Sequence, residues 1–384
     1  MRDASHTPWQ QLAAIVLFAA ITPTILMTAP AVAAQLAAQW QLSPSQIGDL
    51  FSVELGAMSL ATLPALWWLK CVSWRVAALG AAVLFITANL LSMLADTYTH
   101  LLILRFASAL AGGSLMILCL ASAATTANPS RVYGLWVMGQ LVVGAIGLAV
   151  LPGLFERYGL EACYLILAGL MTVLLPLAWN FPSTSPAPQA AAMTALPGSR
   201  WKAALGVAAV LAFYISLGGV WTFIGALGAS AGISAQHSGE ILAIATVMGI
   251  AGAACVSLIG TRLPRLPLLL SGYALMAAAV LLLLGQPTLV RFALAALLFK
   301  FAWTFILPLI LACLADLDHS GKLMNVSNLV IGGGLAIGPA IAGRLIEASG
   351  GFAVLLVGGA VITLLSLALV VASRPGPVFE MEPV

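Results

Sequence analysis

Charge is what this sequence has least of. Among its 384 residues, 15 are Lys or Arg and 12 are Asp or Glu, 7% in all, whereas soluble domains carry about 25%. That scarcity excludes a soluble globular protein. No lysine-rich run is present, so no nucleic acid partner is expected. No Walker A pattern is present either, which argues against ATP hydrolysis. The sequence lacks HExxH and any comparable set of metal ligands. Its four histidines, His6, His100, His237 and His319, fall near expected helix ends. No paired catalytic arrangement is visible, so no enzyme, metal or cofactor is expected. Cys71, Cys119, Cys163, Cys255 and Cys313 form no CxxC pair and read as small packing residues.

What is abundant is apolar surface. Hydrophobic residues make up 62% of the chain and the mean hydropathy is +1.10. This indicates a polytopic membrane protein with the lipid bilayer as its surroundings. At about 20 residues per span, the length accommodates about twelve helices. The apolar pattern predicts spans at 11–36, 45–69, 74–95, 99–124, 131–155 and 159–180. A second set follows at 201–229, 236–260, 266–285, 288–314, 320–346 and 351–373. Arg2, an apolar run and Ala31-Val32-Ala33 imitate a signal peptide. The run from Leu12 to Ala34 exceeds the usual 7–15-residue signal core, so it is read as the first span.

Between the two sets lies FPSTSPAPQAAAMTALPGSR, Phe181–Arg200, with four prolines and no periodicity. It reads as a linker, dividing a bundle over 1–180 from one over 201–384. With the N-terminus in the cytoplasm, ten Lys or Arg fall in cytoplasmic segments and two, Arg157 and Arg344, fall outside. That bias predicts cytoplasmic termini and an even number of spans.

The two sets repeat. Ile47-Gly48-Asp49 corresponds to Ser238-Gly239-Glu240, an offset of 191. Leu104-Arg105-Phe106-Ala107 corresponds to Val290-Arg291-Phe292-Ala293, an offset of 186. Gly147-Leu-Ala-Val-Leu-Pro152 corresponds to Gly334-Leu-Ala-Ile-Gly-Pro339, an offset of 187. Three matches in one order at nearly one offset imply two parallel six-helix bundles related by a pseudo-two-fold axis, with substrate handled between them near the midplane.

This plan resembles the major facilitator superfamily over essentially the whole chain. Leu42-Ser43-Pro44-Ser45-Gln46-Ile47-Gly48 resembles the family's approach to its second helix. Arg105-Phe-Ala-Ser-Ala-Leu-Ala-Gly112-Gly113 resembles its fourth-helix arginine motif, which implies a link between Arg105 and proton coupling. Gly139, Gly144, Gly147, Pro152 and Gly153 are loosely similar to the fifth-helix glycine-proline motif of antiporters, with different spacing. One family element is missing: the loop between the second and third helices reads Lys70-Cys-Val-Ser-Trp-Arg75, without the usual glycines and aspartate.

A few polar residues fall inside the spans. Lys300 sits near the middle of its helix, where a charge costs about 3 kcal/mol on insertion scales. It is too central to snorkel easily, which favours a functional role over a helix-end one. Trp303 at i+3 and Thr304 at i+4 share its face. Glu54 is the other near-central charge. A carboxyl whose protonation is set by burial against a neighbouring cation suits a proton carrier, and it equally suits a structural partner for an arginine. Asp49 lies about 140° from Glu54 around the helix. Paired by the repeat with Glu240, it reads mainly as structural or gating and second to Glu54 as a proton site. Arg105 needs a carboxylate or carbonyl and is expected to modulate Glu54 or Asp49, while Arg291 starts its helix and snorkels. Neither central charge recurs, since Lys300 corresponds to Ser114 and Glu54 to Ala245.

Polar and aromatic stripes run along four spans: Thr24, Thr28 and Gln35; Trp136, Gln140 and Gly144; Tyr214, Gly218, Trp221 and Gly225; Asn325, Asn328 and Gly332. The resemblance implies that helices one, four, seven and ten line a central cavity, with five and eleven contributing. Tyr214, Trp221 and Trp303 would then form aromatic walls, and Gln140, Asn325 and Asn328 would supply hydrogen bonds.

The function expected is secondary active transport of a small organic solute by a monomer in the bacterial inner membrane, coupled to protons and directed to efflux. Proton-coupled import of an organic anion or metabolite is the alternative. A non-transporting sensor or assembly protein on the same scaffold is the alternative of another class.

Overall fold

Short polar residues set where the helices begin. Ser43 accepts a hydrogen bond from the Gln46 N–H while the Gln46 side chain accepts from the Ser43 N–H, a reciprocal capping box. Ser73, Thr97, Asn128 and Thr288 each accept from the amide three residues on, which satisfies a donor that the helix itself cannot. In this computed structural model residues 8–182, 200–259, 262–317 and 322–374 are described, except the side chains of residues 322, 324 and 325. Among the described residues there are helices and no strands.

The first crossing is broken into α1 (Trp9–Ile21), α2 (Thr24–Met27) and α3 (Ala29–Trp40). Pro23 and Pro30 cause the breaks, because a proline has no N–H and crowds the carbonyl four residues back. Then come α4 (Pro44–Leu60), α5 (Thr62–Cys71), α6 (Trp74–Ser92), α7 (Tyr98–Ala124), α8 (Pro129–Tyr158) and α9 (Glu161–Leu174), the last extended by a 3-10 turn over Leu175–Asn180. The second half holds α10 (Arg200–Ser230), α11 (Ala235–Ile259), α12 (Arg265–Leu281), α13 (Leu289–Ala315), α14 (Lys322–Ser349) and α15 (Ala353–Ser373). Among the described residues ten spans are long and apolar enough to cross a membrane, α4 and α5 counting as one, and α1 and α12 are shorter apolar helices. The linker starts later than its composition suggests. Phe181 is fully buried with its ring 6.0 Å from that of Phe18, and the Pro182 carbonyl accepts from the Arg75 N–H. Residues 183–199 of the expected linker lie outside the described residues.

Within the first half, α7 packs on α4 and α6, α8 on α1, and α9 on α6. Within the second, α10 packs on α14 and α15, α11 on α13, and α12 on α13 and α15. The halves meet chiefly along α4–α14, α8–α11 and α3–α10. These seams consist of glycine laid on backbone. A Cβ at Gly48 would overlap the Pro339 carbonyl, one at Gly343 the Pro44 carbonyl, one at Gly239 the Leu148 carbonyl, and one at Gly225 the Pro30 carbonyl. In lipid, where apolar contact drives no association, small residues let helix backbones approach and gain dispersion. The repeated motifs are partners here: Gly48 of α4 meets the Gly334–Pro339 stretch of α14, and Gly239 of α11 meets the Gly147–Pro152 stretch of α8.

Candidate functional site

Two buried clusters carry the polar chemistry, one in each half. In the first, Glu54 on α4 and Arg105 on α7 form an ion pair at 3.5 Å, with 5% and 1% of their surfaces exposed. Arg105 also donates to Asn89 Oδ1 at 2.9 Å. The Asn89 Nδ2 donates to Ser108 Oγ at 2.9 Å and to the Phe85 carbonyl at 2.8 Å. The guanidinium lies 4.4 Å from the ring centroid of Tyr164 on α9, a cation–π contact. Four helices therefore converge on Arg105. Its Nε makes no hydrogen bond, and neither does the Tyr164 hydroxyl.

In the second cluster the Lys300 ammonium of α13 sits 3.6 Å from the Trp221 ring centroid and 4.2 Å from that of Trp303. The two indoles meet edge to face at 6.1 Å. Phe299 lies parallel to Trp221 at 6.4 Å and edge-on to Trp303. Tyr214 is buried two turns before Trp221 on α10 and interacts with Trp303. Trp221 Nε1 donates across the halves to the Leu26 carbonyl at 2.9 Å. Leu26 is four residues before Pro30, so its helical donor is missing. The break in the first crossing thus supplies the acceptor that anchors Trp221.

Other expected site residues lie outside the two clusters. Gln140 donates to the Ala19 carbonyl at 3.1 Å, a carbonyl left without its helical donor by Pro23. It ties α8 to α1, because an unmet carbonyl in hydrocarbon is costly. Thr304 donates to the Gly249 carbonyl at 2.6 Å, joining α13 to α11 instead of facing the amine. Thr24 and Thr28 turn onto their own backbone, at the Ile21 and Thr24 carbonyls. Asn328 is exposed on α14 and joins neither cluster. The Asn325 side chain lies outside the described residues.

Asp49 is likewise away from the first cluster. It accepts two hydrogen bonds from Arg344 of the other half, at 2.7 and 3.3 Å, with 40% and 59% of the two side chains exposed. One turn further, Glu347 accepts from Ser43 Oγ at 3.0 Å and the Ser45 N–H at 3.1 Å, a carboxylate at the start of α4 where the helix dipole favours it. Glu240 bonds instead with Gln236 of its own helix, which also reaches the Ala149 carbonyl across the halves. The Asp49 side chain points to Arg344 and not to Arg105, because the ~140° between positions 49 and 54 puts them on different faces. Among the described residues, the hydrogen bonds joining the halves lie at this end or midway, at Trp221–Leu26 and Ser52–Ala336. Arg291, the repeat counterpart of Arg105, caps the Leu284 carbonyl at 2.6 Å, as suits a half with alanine where the other has Glu54. Among the described residues no three His, Cys, Asp or Glu side chains are grouped to hold a metal.

Sequence reading overlooked Asn89, Tyr164, Phe299 and the Arg344 latch. Asn89 carried a signal, being a lone amide in an apolar span. Tyr164 and Phe299 carried none, since an aromatic in an apolar helix reads as packing.

The family model described as Major Facilitator Superfamily matches residues 12–319. Among solved structures, the nucleoside transporter NupG is similar with a TM-score of 0.73 and 14% identity, covering 95% of this chain and 97% of that one. A bacterial homolog of the human lysosomal transporter Spinster, in an inward-facing and unoccupied conformation, gives 0.69 and 15%, covering 97% and 100%. At these identities the likeness is one of fold.

Proposed function

This chain belongs to the Major Facilitator Superfamily, and we propose that it is a proton-coupled exporter of a small organic solute. It works by alternating access, as a monomer in a bacterial inner membrane with both termini in the cytoplasm. Two bundles, 1–180 and 201–384, would rock about the midplane. With the loop charges placed inside, the Asp49–Arg344 end is the outer end, and the joined halves there correspond to an inward-facing state.

The observation that carries the reading is the division of buried charge. Glu54 and Arg105 pair within the first half, and Lys300 stands among indoles in the second. Proton and solute therefore have separate seats on bodies that move relative to each other. A proton arriving at Glu54 would remove the carboxylate charge and release Arg105 to its Asn89 and Tyr164 contacts. Asn89 and Tyr164 position the guanidinium so that this release does not leave it bare. Trp221 belongs to the solute seat and also bridges to Leu26, so solute binding would be felt at the joint between halves.

Proteoliposomes with an imposed pH gradient test this. Solute-driven proton movement should be abolished in Glu54→Gln, while solute exchange at equal pH persists. Proton movement unaffected by Glu54→Gln would overturn the coupling assignment. Proton-coupled import of an organic anion or metabolite is the second reading, and Lys300 without a carboxylate partner among the described residues is the observation that favours it.

A further inference from the structure

Among the described residues, Arg105 and Lys300 are the two buried cations and Glu54 is the one buried carboxylate. Arg105 already holds Glu54. The other described acids sit within two turns of helix ends or in loops. Lys300 is 3% exposed, and no carboxylate lies within ion-pair distance of it among the described residues. Its ammonium has three N–H donors and rests on two indole faces. An indole face attracts a cation by its quadrupole but balances no charge. Among the described residues this buried amine thus has no carboxylate to balance a positive charge, and the indoles it rests on are flanked by Phe299 and Tyr214.

We propose that Lys300 seats the acidic group of a monoanionic organic acid with a flat apolar or aromatic body. This rests on the transport reading above. The class follows from charge counting and shape. One uncompensated cation balances one negative charge, so a dianion would carry an excess into the site. Drawing the ammonium toward a carboxylate uncovers the Trp221 face, which a flat ring can then cover. Trp303 and Phe299 stand edge-on to each other beside it, so the surroundings of the ammonium are aromatic and match a flat apolar body in chemistry.

The test uses the full chain in nanodiscs and matched pairs differing only in charge: benzoate and benzamide, nicotinate and nicotinamide, indole-3-acetate and indole-3-acetamide. Thermal unfolding is read, since a ligand of the native state raises it. At least one carboxylate should raise the transition by about 2 °C or more while its amide does not. Lys300→Gln should erase that difference and Lys300→Arg should retain it in part. Without ligand, Lys300→Met should unfold at higher temperature than the parent, because an apolar chain of similar length replaces an uncompensated charge.

Four results would each overturn the assignment: no carboxylate preferred over its amide, a preference that survives Lys300→Gln, chloride alone reproducing the full shift, or a fall in Lys300→Met. The two readings fail separately. Proton-linked movement of neutral solutes, untouched by Lys300→Gln, would remove the acid and leave transport. Carboxylate binding with no solute-driven flux would remove transport and leave the acid site.

Discussion

Adding one methyl group at the seam between the halves should open it more than breaking its salt bridge. Gly48 lies on the Pro339 carbonyl, and an alanine Cβ there would overlap it. The neighbouring atom is backbone, so no flexible side chain can yield and the helices must part. Overpacking of this kind costs about 1–3 kcal/mol, a shift of roughly 5–150-fold in the population of the joined state. The Asp49–Arg344 pair beside it is 40% and 59% exposed, and surface pairs contribute about 0–1 kcal/mol. Gly48→Ala should therefore outweigh Arg344→Ala, although the ion pair is the more conspicuous contact. Spin labels at Gln41→Cys and Ser349→Cys, one on each half at this end, report the separation by double electron–electron resonance. The distribution should move to longer distances in Gly48→Ala and in its repeat counterpart Gly239→Ala, and less in Arg344→Ala. Gly80→Ala, where a Cβ meets nothing within 4 Å, is the control. If Gly48→Ala and Gly239→Ala leave the distances at the parent values, close backbone contact is not what holds the halves together.

Trp221→Phe keeps most of the ring but leaves the Leu26 carbonyl without its donor, and should lower stability by about 1–3 kcal/mol in thermal unfolding. Gln140→Leu should do the same at the Ala19 carbonyl, which Pro23 deprives of a backbone donor, and its loss should leave solute affinity in binding assays unchanged. Arg105→Ala strands Glu54 and should destabilise by about 3–5 kcal/mol, while the double change with Glu54→Leu should recover part of that on the same unfolding measurement. Outside the spans, a hydrogen bond from His100 holds the Asp96 carboxyl below its usual range. Any stability from it is present above the unfolded carboxylate range and lost as pH falls through the lowered value. With 78% of Asp96 exposed, Asp96→Asn should leave the acid unfolding profile superimposable on the parent.

The spans were legible because the bilayer imposes length and because caps are local. Ser43 with Gln46, Asn128 before Pro129, and Thr288 before α13 mark helix starts within a few residues of those expected. The repeat was legible too, and its motifs proved to be the facing surfaces of the seams. Which side chains meet was legible only in part. Lys300, Trp221, Trp303 and Tyr214 do assemble, and Arg105 does meet Glu54. Gln140 and Thr304 had the right residue types at the right spacing, yet each turned to a carbonyl on another helix.

By itself the sequence determined the order of the apolar spans, where most of the helices start, and which motifs recur at nearly one offset. Each follows from interactions within a few residues or from the thickness of hydrocarbon. The proline breaks in the first crossing, expected as one span over 11–36, came only with the structure. Tertiary structure decided the pairings: Glu54 and not Asp49 for Arg105, Trp221 for the carbonyl that Pro30 leaves open, and, among the described residues, no carboxylate for Lys300. Helices apolar on all sides carry little amphipathic contrast to say which face meets which neighbour. In lipid a polar group takes whatever partner the helix crossing brings within reach, and the crossing is set by where glycine lets backbones touch.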